Sequence, residues 1–366
     1  MSKQIRVNFL LPCSGAHQCG GFKVIYEHAN RLAQRGYQVA VVHAARERPT
    51  RLRNWGGMLR EYLRQQRNGR YRPDHWFKLD PSIDVRLVPM LHPRMVPDAD
   101  VVVASAWQTA EWAMDYPPRK GRKMYLVHDY EYYMSADEAI RQRMVRTYRA
   151  DMQAMYTSPV VKQMLVENGN KGAVEIPNGI DFDIFYRELP FDAPTRTAIG
   201  FPARVEPFKA TQDAVRALDV VREKLGKNLQ VWTFGRRNFG SIPDWIEFVE
   251  SPDDARLRML YNQTSVFLVP SHYEGWGLPG AEAMVCGAAL ATTDNGGCRA
   301  YAHHNDNALL SPPGEPDALA KNVLRLLEDN ELRFRLARRG HEQIQRFNWQ
   351  FASETFESVL RSVLAS

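Results

Sequence analysis

Short apolar runs alternate with amphipathic segments from the start of the chain. Residues 7–11 are apolar, and a loop with three glycines leads to residues 22–35, whose apolar positions recur at helical spacing and end before Gly36. Residues 39–42 form a second apolar run. Short buried strands joined by helices are typical of parallel sheets, in which the crossover connections are helical. The pattern therefore predicts an α/β unit in this region.

The same alternation continues and then restarts after residue 196. In the first part, further strands are predicted at 100–104, 123–127 and 173–176. In the second part, strands are predicted at 197–201, 229–234, 246–249, 266–270 and 288–293, and helices at 210–225, 253–261, 279–286, around 319–327 and around 356–363. Residues 186–196 contain two prolines and have no periodicity, which indicates a linker. We therefore expect two Rossmann-like domains, residues 1–188 and 189–349, with a C-terminal helix at about 350–366 that packs back on the first.

The composition is that of a globular protein. Hydrophobic residues make up 44% and charged residues 25% of the chain, so extensive disorder is excluded. No run approaches ~18 consecutive apolar residues, so no transmembrane span is expected, and the apolar run near the N-terminus is too short for a signal peptide. The spacing of the cysteines fits neither a zinc site nor a disulfide framework, which favours a reducing cytoplasm. These cysteines are Cys13, Cys19, Cys286 and Cys298.

Residues 270–284 carry the strongest chemical pattern in the chain. A buried strand ends at Pro270, glycine-spaced residues follow, and Pro279 suits the first turn of a helix because its missing N–H costs nothing there. Glycines let backbone amides approach a ligand, and a helix N-terminus favours an anion. Glu274 and Glu282 flank this turn, where their carboxylates are suited to accept hydrogen bonds from the hydroxyl groups of a sugar and a ribose.

Glu274 and Glu282, with seven residues between them, resemble the Glu-x7-Glu motif of glycosyltransferase family 4. The resemblance extends through most of the chain and includes residues 176–181, before the linker, and residues 307–314. It implies an α/β chain with the GT-B fold, in which two Rossmann-like domains face a deep interdomain cleft. It also implies that the transferred sugar retains its anomeric configuration.

Further residues match the family pattern. Arg204 and Lys209 resemble the family's cationic pair on the donor diphosphate, where fixed cations stabilise the charge that develops on the leaving group. Gly20 and Gly21 resemble the glycine loop that closes over the phosphates, and His128 resembles the histidine at a strand end near the transferred sugar. The catalytic residues implied by the resemblance are His128, Arg204, Lys209 and Glu274. The donor-binding residues implied by it are Gly20, Gly21, Gly275, Trp276, Gly277, Leu278 and Glu282.

Two departures from the family pattern concern donor-side loops. The family commonly has Pro-Glu after its second glycine pair, whereas residues 295–299 are Asn-Gly-Gly-Cys-Arg. This difference leaves open how the loop contacts the donor and which sugars fit. The usual Lys-Gly dipeptide is Lys209-Ala210 here, which is a mild change.

No metal and no cofactor is expected, since the nucleotide-diphosphate sugar acts as a co-substrate. Residues 98–100 and 181–183 fit an Asp-x-Asp pattern that binds a divalent ion in another glycosyltransferase fold. The first segment precedes a predicted strand rather than following one, and the second lies beside the linker. Neither position is therefore expected to bind metal.

The resemblance implies a metal-independent hexosyl- or deoxyhexosyltransferase. It would move a sugar from a nucleotide-diphosphate sugar to a glycan, lipid-linked or small-molecule acceptor, in bacterial envelope polysaccharide or glycoconjugate synthesis. Uridine, guanosine and thymidine carriers all fit. Two alternatives stay open, namely a GT-B-like nucleotide-sugar epimerase or hydrolase and a non-catalytic nucleotide-sugar-binding protein at a membrane surface.

Residues 46–72 carry nine arginines against two glutamates, a net charge of +7, so the rest of the chain contributes −1 to the total of +6. Within this segment, apolar residues at three- and four-residue spacing over 51–64 predict a basic amphipathic helix, despite Gly56 and Gly57. Such a helix suits an anionic membrane surface and would make the protein peripheral at the inner membrane face. The alternative is that it packs on the N-terminal domain. No nucleic-acid partner is expected, because no recognised binding module is present.

Overall fold

A computed structural model of the chain describes residues 4–16, 19–45, 55–69, 71–129, 137–226, 228–236 and 242–366. The chain divides into two compact units. The first unit comprises Met1–Thr157, Val161–Gly179 and Trp349–Ser366, and the second comprises Ser158–Val160 and Ile180–Asn348. By this division, the predicted linker 186–196 belongs to the second unit, which begins before the sequence-based boundary at 188/189.

The first unit is built on a parallel sheet. Its strands are β1 Arg6–Leu11, β2 Gln38–Ala44, β3 Asp84–Val88, β4 Val101–Ala104, β5 Arg122–Val127, β6 Gln153–Tyr156 and β7 Val174–Glu175, in the order β3-β2-β1-β4-β5-β6-β7. Its helices up to this point are α1 Gly20–Gln34, α2 Trp55–Asn68, α3 Trp107–Met114, α4 Glu138–Tyr148 and α5 Pro159–Glu167. Apart from Arg6 at the start of β1, every residue of the central strands β1 and β4 is buried, as expected for a parallel sheet covered on both sides.

The second unit repeats this architecture. Its strands are β8 Ala198–Pro202, β9 Val231–Gly235, β10 Glu247–Glu250, β11 Thr264–Val269, β12 Ala289–Thr293 and β13 Ala308–Ser311, in the order β10-β9-β8-β11-β12-β13. Its helices are α6 Thr211–Leu225, α7 Asp254–Gln263, α8 Leu278–Val285, α9 Pro316–Glu328 and α10 Asn330–Ile344. The strands pair in parallel throughout the described part of this sheet, so two Rossmann-like α/β units are confirmed.

The last helix, α11 Trp349–Ala365, returns to the first unit. The Phe356 ring stacks on Phe9 of β1, with ring centroids 5.9 Å apart, and on His28 of α1 at 4.5 Å. Glu357 accepts hydrogen bonds of 2.8 Å from the Arg35 guanidinium and from the Tyr37 hydroxyl. The helix is therefore fixed to α1 by both apolar and charged contacts.

The strand order of each sheet reverses direction at one point. The chain moves from β1 outwards to β3 and then crosses to β4 on the other side of β1, and likewise from β8 to β10 and then back to β11. At such a point, the loops that follow the two neighbouring strands diverge and leave a crevice at the carboxyl ends of the strands, where ligands of open α/β sheets bind. In the second unit, the loops concerned are those that follow β8 and β11.

Most predicted elements are observed with boundaries shifted by a few residues. The pattern did not predict β3, β6, β13, α3, α4, α5 or α10. Gly20 and Gly21 were expected in a loop but form the first turn of α1, which begins after Cys19. The basic helix is observed as α2, and residues 51–54 of the predicted segment lie outside the described residues. Within the described ranges, none of the helices has the length and apolar character needed to cross a bilayer.

Candidate functional site

Two loops at the carboxyl ends of β8 and β11 carry the predicted cations and the first predicted acid. Arg204 and Lys209 lie in the loop from β8 to α6, and Glu274 lies in the loop from β11 to α8. Since β8 and β11 are hydrogen-bonded neighbours, the fold brings the two loops side by side. The position is the crevice at which the strand order of the second sheet reverses.

Lys209 and Glu274 form an ion pair between the two loops. The Lys209 Nζ atom lies 2.8 Å from Glu274 Oε2, and both side chains are largely shielded, with 19% and 14% of their surface exposed. The Ser271 hydroxyl donates a hydrogen bond of 2.7 Å to the other carboxylate oxygen, Oε1. Glu274 is therefore held at both oxygens, and a positive and a negative charge sit together at the crevice.

Arg204 is fixed at the ends of β8 and β9. Its Nη1 atom donates hydrogen bonds to the carbonyl oxygens of Ala203 at 2.8 Å and Phe234 at 3.1 Å, and its guanidinium lies 5.0 Å from the centre of the Phe234 ring. The Thr211 hydroxyl accepts from the Arg204 N–H and donates to the Arg204 carbonyl. These contacts hold a second positive charge beside the crevice.

Further contacts join the two loops into one structure. The His272 N–H donates to the Phe208 carbonyl at 2.7 Å, and the His272 Nε2 atom lies 2.7 Å from Asp213 Oδ2 in the first turn of α6. Lys209 and Glu274 add their ion pair to these contacts. The relative position of the cationic and acidic side chains is thus set by several bonds rather than one.

The turn before α8 depends on close backbone packing. Gly277, the residue before the helix, has φ of +93°, a left-handed conformation that favours glycine. The Tyr301 hydroxyl donates to the Gly277 carbonyl at 2.7 Å, and the Tyr301 ring lies 4.8 Å from that of Trp276. A Cβ atom at Gly297 would lie 2.5 Å from the Glu274 carbonyl oxygen, so only glycine fits there. This packing fixes the backbone of residues 275–278.

Glu282, on the second turn of α8, is 8% exposed. The Tyr261 hydroxyl of α7 donates to its Oε2 atom at 3.3 Å. Burial, Cys298 and the carboxylates of Glu274 and Glu282 together raise the pKa of Tyr301 well above 10.0. The Tyr301 hydroxyl therefore keeps its proton near pH 7 and acts as a hydrogen-bond donor.

Three of the predicted residues lie in the first unit. Gly20 and Gly21 open α1, and a Cβ atom at Gly21 would lie 3.9 Å from the His128 ring at the end of β5. The Nε2 atom of His128 is buried and has no hydrogen-bond partner among the described residues. Burial lowers the pKa of His128 to about 4, so its imidazole is neutral near pH 7.

The structure thus brings the predicted residues together in two groups, one in each unit. Residues 204–282 supply the cations, the acids and the turn, and the first unit supplies the glycines and His128. Sequence reasoning missed Ser271, Tyr261 and Tyr301. Ser271 lies three residues before Glu274, a spacing that a turn brings into contact, whereas the tyrosines are distant in sequence and carry no local signal.

Aspartates of the two Asp-x-Asp segments are paired within the protein. Asp98 lies 2.6 Å from the Lys120 ammonium, Asp100 lies 3.1 Å from the Arg6 guanidinium, and Asp181 accepts from the Asp183 N–H at 3.0 Å. Over the part of the chain that the structure describes, no three or more His, Cys, Asp or Glu side chains are grouped so that they could hold a metal ion.

Two protein-family models match the chain. One, described as "Glycosyltransferase Family 4", matches residues 19–184, and the other, described as "Glycosyl transferases group 1", matches residues 192–343. Together they span most of both units and include every candidate residue of the site. The chain belongs to glycosyltransferase family 4. The resemblance first seen in Glu274 and Glu282 is therefore confirmed.

Relatives of this family 4 chain match it over part of their length. The chain is 28% identical over 207 residues to the D-inositol 3-phosphate glycosyltransferase of Xylanimonas cellulosilytica, covering 50% of each chain. It is 26% identical over 224 residues to the phosphatidyl-myo-inositol mannosyltransferase of Mycobacterium tuberculosis, covering 57% of this chain and 59% of the relative. The chain thus spans about half the length of the curated relatives it matches.

A solved structure resembles the family 4 chain over nearly its whole length. Anabaena HepE, solved in complex with UDP-glucose, has a TM-score of 0.75 and 16% sequence identity, with 98% of this chain and 100% of the HepE chain covered. At this identity the likeness shows the fold alone. The fold is that of the GT-B glycosyltransferases, as the family resemblance implied.

The two departures from the family pattern have defined structures. In the loop after β12, the Asn295 side chain accepts from the Cys298 N–H at 3.0 Å, and Arg299 makes a two-pronged ion pair with Asp294 at 2.7 Å. In the loop after β8, Ala210 has φ of +51° and ψ of +40°, the left-handed region. The family's glycine at this position avoids the steric cost that a Cβ atom brings there.

Replacing Ala210 with glycine should stabilise the second unit. The left-handed conformation costs a residue with a Cβ atom about 1–2 kcal/mol, and the greater freedom of glycine in the unfolded chain takes back about 0.5–1 kcal/mol. We expect Ala210→Gly to raise the free energy of unfolding by up to ~1 kcal/mol in urea titrations. As a control, Ala214→Gly, inside α6, should lower it by about 1 kcal/mol or more. Equal losses in the two variants would contradict the left-handed assignment.

Proposed function

We propose that the chain is a retaining glycosyltransferase that moves a sugar from a nucleotide-diphosphate sugar to a glycan, lipid-linked or small-molecule acceptor. The observation that carries this proposal is the Lys209–Glu274 ion pair at the strand-order reversal of the second sheet, with Arg204 beside it. Together they offer cations for a diphosphate and an acid for sugar hydroxyls in one crevice.

The leaving group explains the need for the cations. Breaking the glycosidic bond of the donor transfers negative charge to the nucleoside diphosphate, and preorganised donors aimed at that charge lower the barrier most. Lys209 and Arg204 supply fixed positive charge, and the N–H groups at the start of α8 supply the positive end of a helix dipole. Gly20 and Gly21, in the first turn of α1, would add backbone donors.

The acids bind the neutral parts of the donor. In this scheme, Glu274 orients hydroxyls of the transferred sugar and Glu282 those of the ribose, since ionised carboxylates only accept hydrogen bonds. His128 is assigned a contact with the transferred sugar, and its low pKa keeps it neutral, so that it can donate one hydrogen bond without adding charge. The reaction needs no metal and no cofactor in this scheme, because the protein cations balance the diphosphate.

The names of similar proteins support the nucleotide sugar and the envelope role. HepE was solved with UDP-glucose, and the mycobacterial relative is named for transfer of mannose to phosphatidyl-myo-inositol. By analogy, we assign this chain a uridine, guanosine or thymidine diphosphate hexose or deoxyhexose as donor. The setting we propose is bacterial envelope polysaccharide or glycoconjugate synthesis on the cytoplasmic side of the membrane.

Two other functions make different predictions about turnover. A nucleotide-sugar epimerase or hydrolase would consume the donor without an acceptor, and a non-catalytic binder would leave every donor–acceptor pair unchanged. The presence of both the cationic and the acidic groups favours transfer, because simple binding of a nucleotide has less need for an acid at the sugar. A donor-consumption assay with and without added acceptors separates the three.

Removal of either cation should weaken nucleotide binding and reduce the thermal shift. In a thermal-shift panel of UDP, GDP and dTDP with their sugars, a ligand at 100 times its dissociation constant should add about 2.7 kcal/mol of stability to the wild-type protein. Arg204→Ala or Lys209→Ala should weaken binding by roughly tenfold or more, because a hydrogen bond to a charged group contributes about 1.5–3 kcal/mol.

The matched controls are Arg216→Ala and Lys321→Ala, which remove exposed cations from α6 and α9 of the same unit. These controls should keep the full thermal shift. Retention of the shift in the Arg204 and Lys209 variants would place the nucleotide elsewhere and overturn the proposal.

We also propose that α2 binds an anionic membrane surface, where a lipid-linked acceptor would be found. Leu59 and Leu63, one turn apart on this helix, are 55% and 46% exposed, and the basic residues Arg60, Arg64 and Arg67 beside them are exposed as well. Gln66 donates to the Leu87 carbonyl at 3.3 Å, so one side of the helix contacts β3. Exposed apolar and basic side chains on one helix are the pattern of interfacial helices.

Liposome flotation tests this surface. The wild-type protein should float with vesicles that contain phosphatidylglycerol and less with pure phosphatidylcholine, because each basic residue near an anionic surface contributes about 1 kcal/mol. Flotation should be lost in a variant with Arg60→Gln, Arg64→Gln and Arg67→Gln. It should be kept in a control of equal charge change with Arg216→Gln, Lys224→Gln and Lys321→Gln. Equal flotation of the wild-type protein with both kinds of vesicle would overturn the proposal.

A further inference from the structure

The ring of Tyr261 is held in a closed aromatic environment. Tyr261, on α7, is 0% exposed. Its ring centroid lies 5.2 Å from that of Phe267 on β11 and 5.9 Å from that of Trp232 on β9. The ring of Phe185 lies 6.0 Å away. A ring packed in this way has little freedom to move, so the position of its hydroxyl is set by the core of the second unit.

The Tyr261 hydroxyl donates to a buried carboxylate. Its oxygen lies 3.3 Å from Oε2 of Glu282, which is 8% exposed. Burial first, and then the charge of Glu282, raise the pKa of Tyr261 well above 10.0, so the hydroxyl keeps its proton and acts as the donor. A buried carboxylate without such a donor would bear a desolvation cost.

A second contact ties the two helices together at the backbone. The buried Arg196 guanidinium donates to the carbonyl of Tyr261 at 3.4 Å, to that of Thr264 at 3.1 Å and to that of Cys286, which follows α8, at 3.0 Å. The Cys286 N–H in turn donates to the Glu282 carbonyl at 3.1 Å. Arg196 therefore links the backbone of α7, which carries Tyr261, to the end of α8, which carries Glu282.

We propose that Tyr261 is a positioning residue that orients the Glu282 carboxylate toward the ribose hydroxyls of the nucleotide. The inference rests on the proposed function, in which Glu282 accepts from the ribose. The hydroxyl of a rigid ring binds Oε2 and restricts rotation of the carboxylate. Glu282 therefore loses less conformational entropy when the nucleotide binds. Tyr261 itself touches no part of the donor in this scheme.

Calorimetry tests the inference. It compares the affinities for UDP and GDP with those for their 2′,3′-dideoxy counterparts. The wild-type protein should bind the ribonucleotide more tightly. Tyr261→Phe, which removes one oxygen and keeps the ring, should weaken ribonucleotide binding by roughly tenfold and leave dideoxynucleotide binding unchanged. Glu282→Gln should have the same selective effect, and the double variant should add little to either, as expected for coupled residues.

The control is Tyr116→Phe in the first unit, where the hydroxyl of another buried tyrosine donates to the Leu91 carbonyl at 2.6 Å. It should cost stability in thermal unfolding and leave the preference for ribose intact. A Tyr261→Phe protein that keeps the wild-type preference overturns this inference alone. A wild-type protein that binds nucleotides without preference for ribose overturns the role of Glu282 as well, and one that binds none of them overturns the proposed function.

Discussion

The electrostatic contact between Lys209 and Glu274 joins the two loops on which the candidate site is built. It spans the reversal of strand order between β8 and β11, where a parallel sheet has a crevice at the carboxyl ends of its strands. Because Ser271 holds the second oxygen of Glu274, the acid does not depend on the lysine alone for its position. A ligand with a diphosphate beside a sugar matches this pairing of opposite charges.

The geometry around this pair follows from backbone packing. The left-handed Gly277 and the close approach of Gly297 to the 274–276 backbone require glycine at both positions, and Tyr301 fixes the turn through the Gly277 carbonyl. A second hydroxyl, that of Tyr261, reaches the deeper acid Glu282. Buried tyrosine hydroxyls thus hold both the backbone of the turn and the carboxylate of Glu282.

The segment from β11 to α8 could be predicted from sequence to within two residues, because an apolar run at the end of a strand, glycines and an N-terminal proline are local signals. The edge strand β3 escaped prediction because Asp84 and Arg86 alternate with its apolar residues, and α10 because its apolar positions are diluted by arginines. The partners of Glu274 and Glu282 could not be predicted in the same way. Lys209 lies 65 residues from Glu274 in sequence, and Tyr261 lies 21 residues from Glu282.

A crystal structure of the protein with bound UDP-sugar or GDP-sugar tests the central claim most directly. We expect diphosphate oxygens within hydrogen-bonding distance of Lys209 Nζ at the carboxyl ends of β8 and β11, with the Glu274 carboxylate facing the sugar. A nucleotide bound away from these strand ends, with neither Lys209 nor Arg204 at its phosphates, would contradict it.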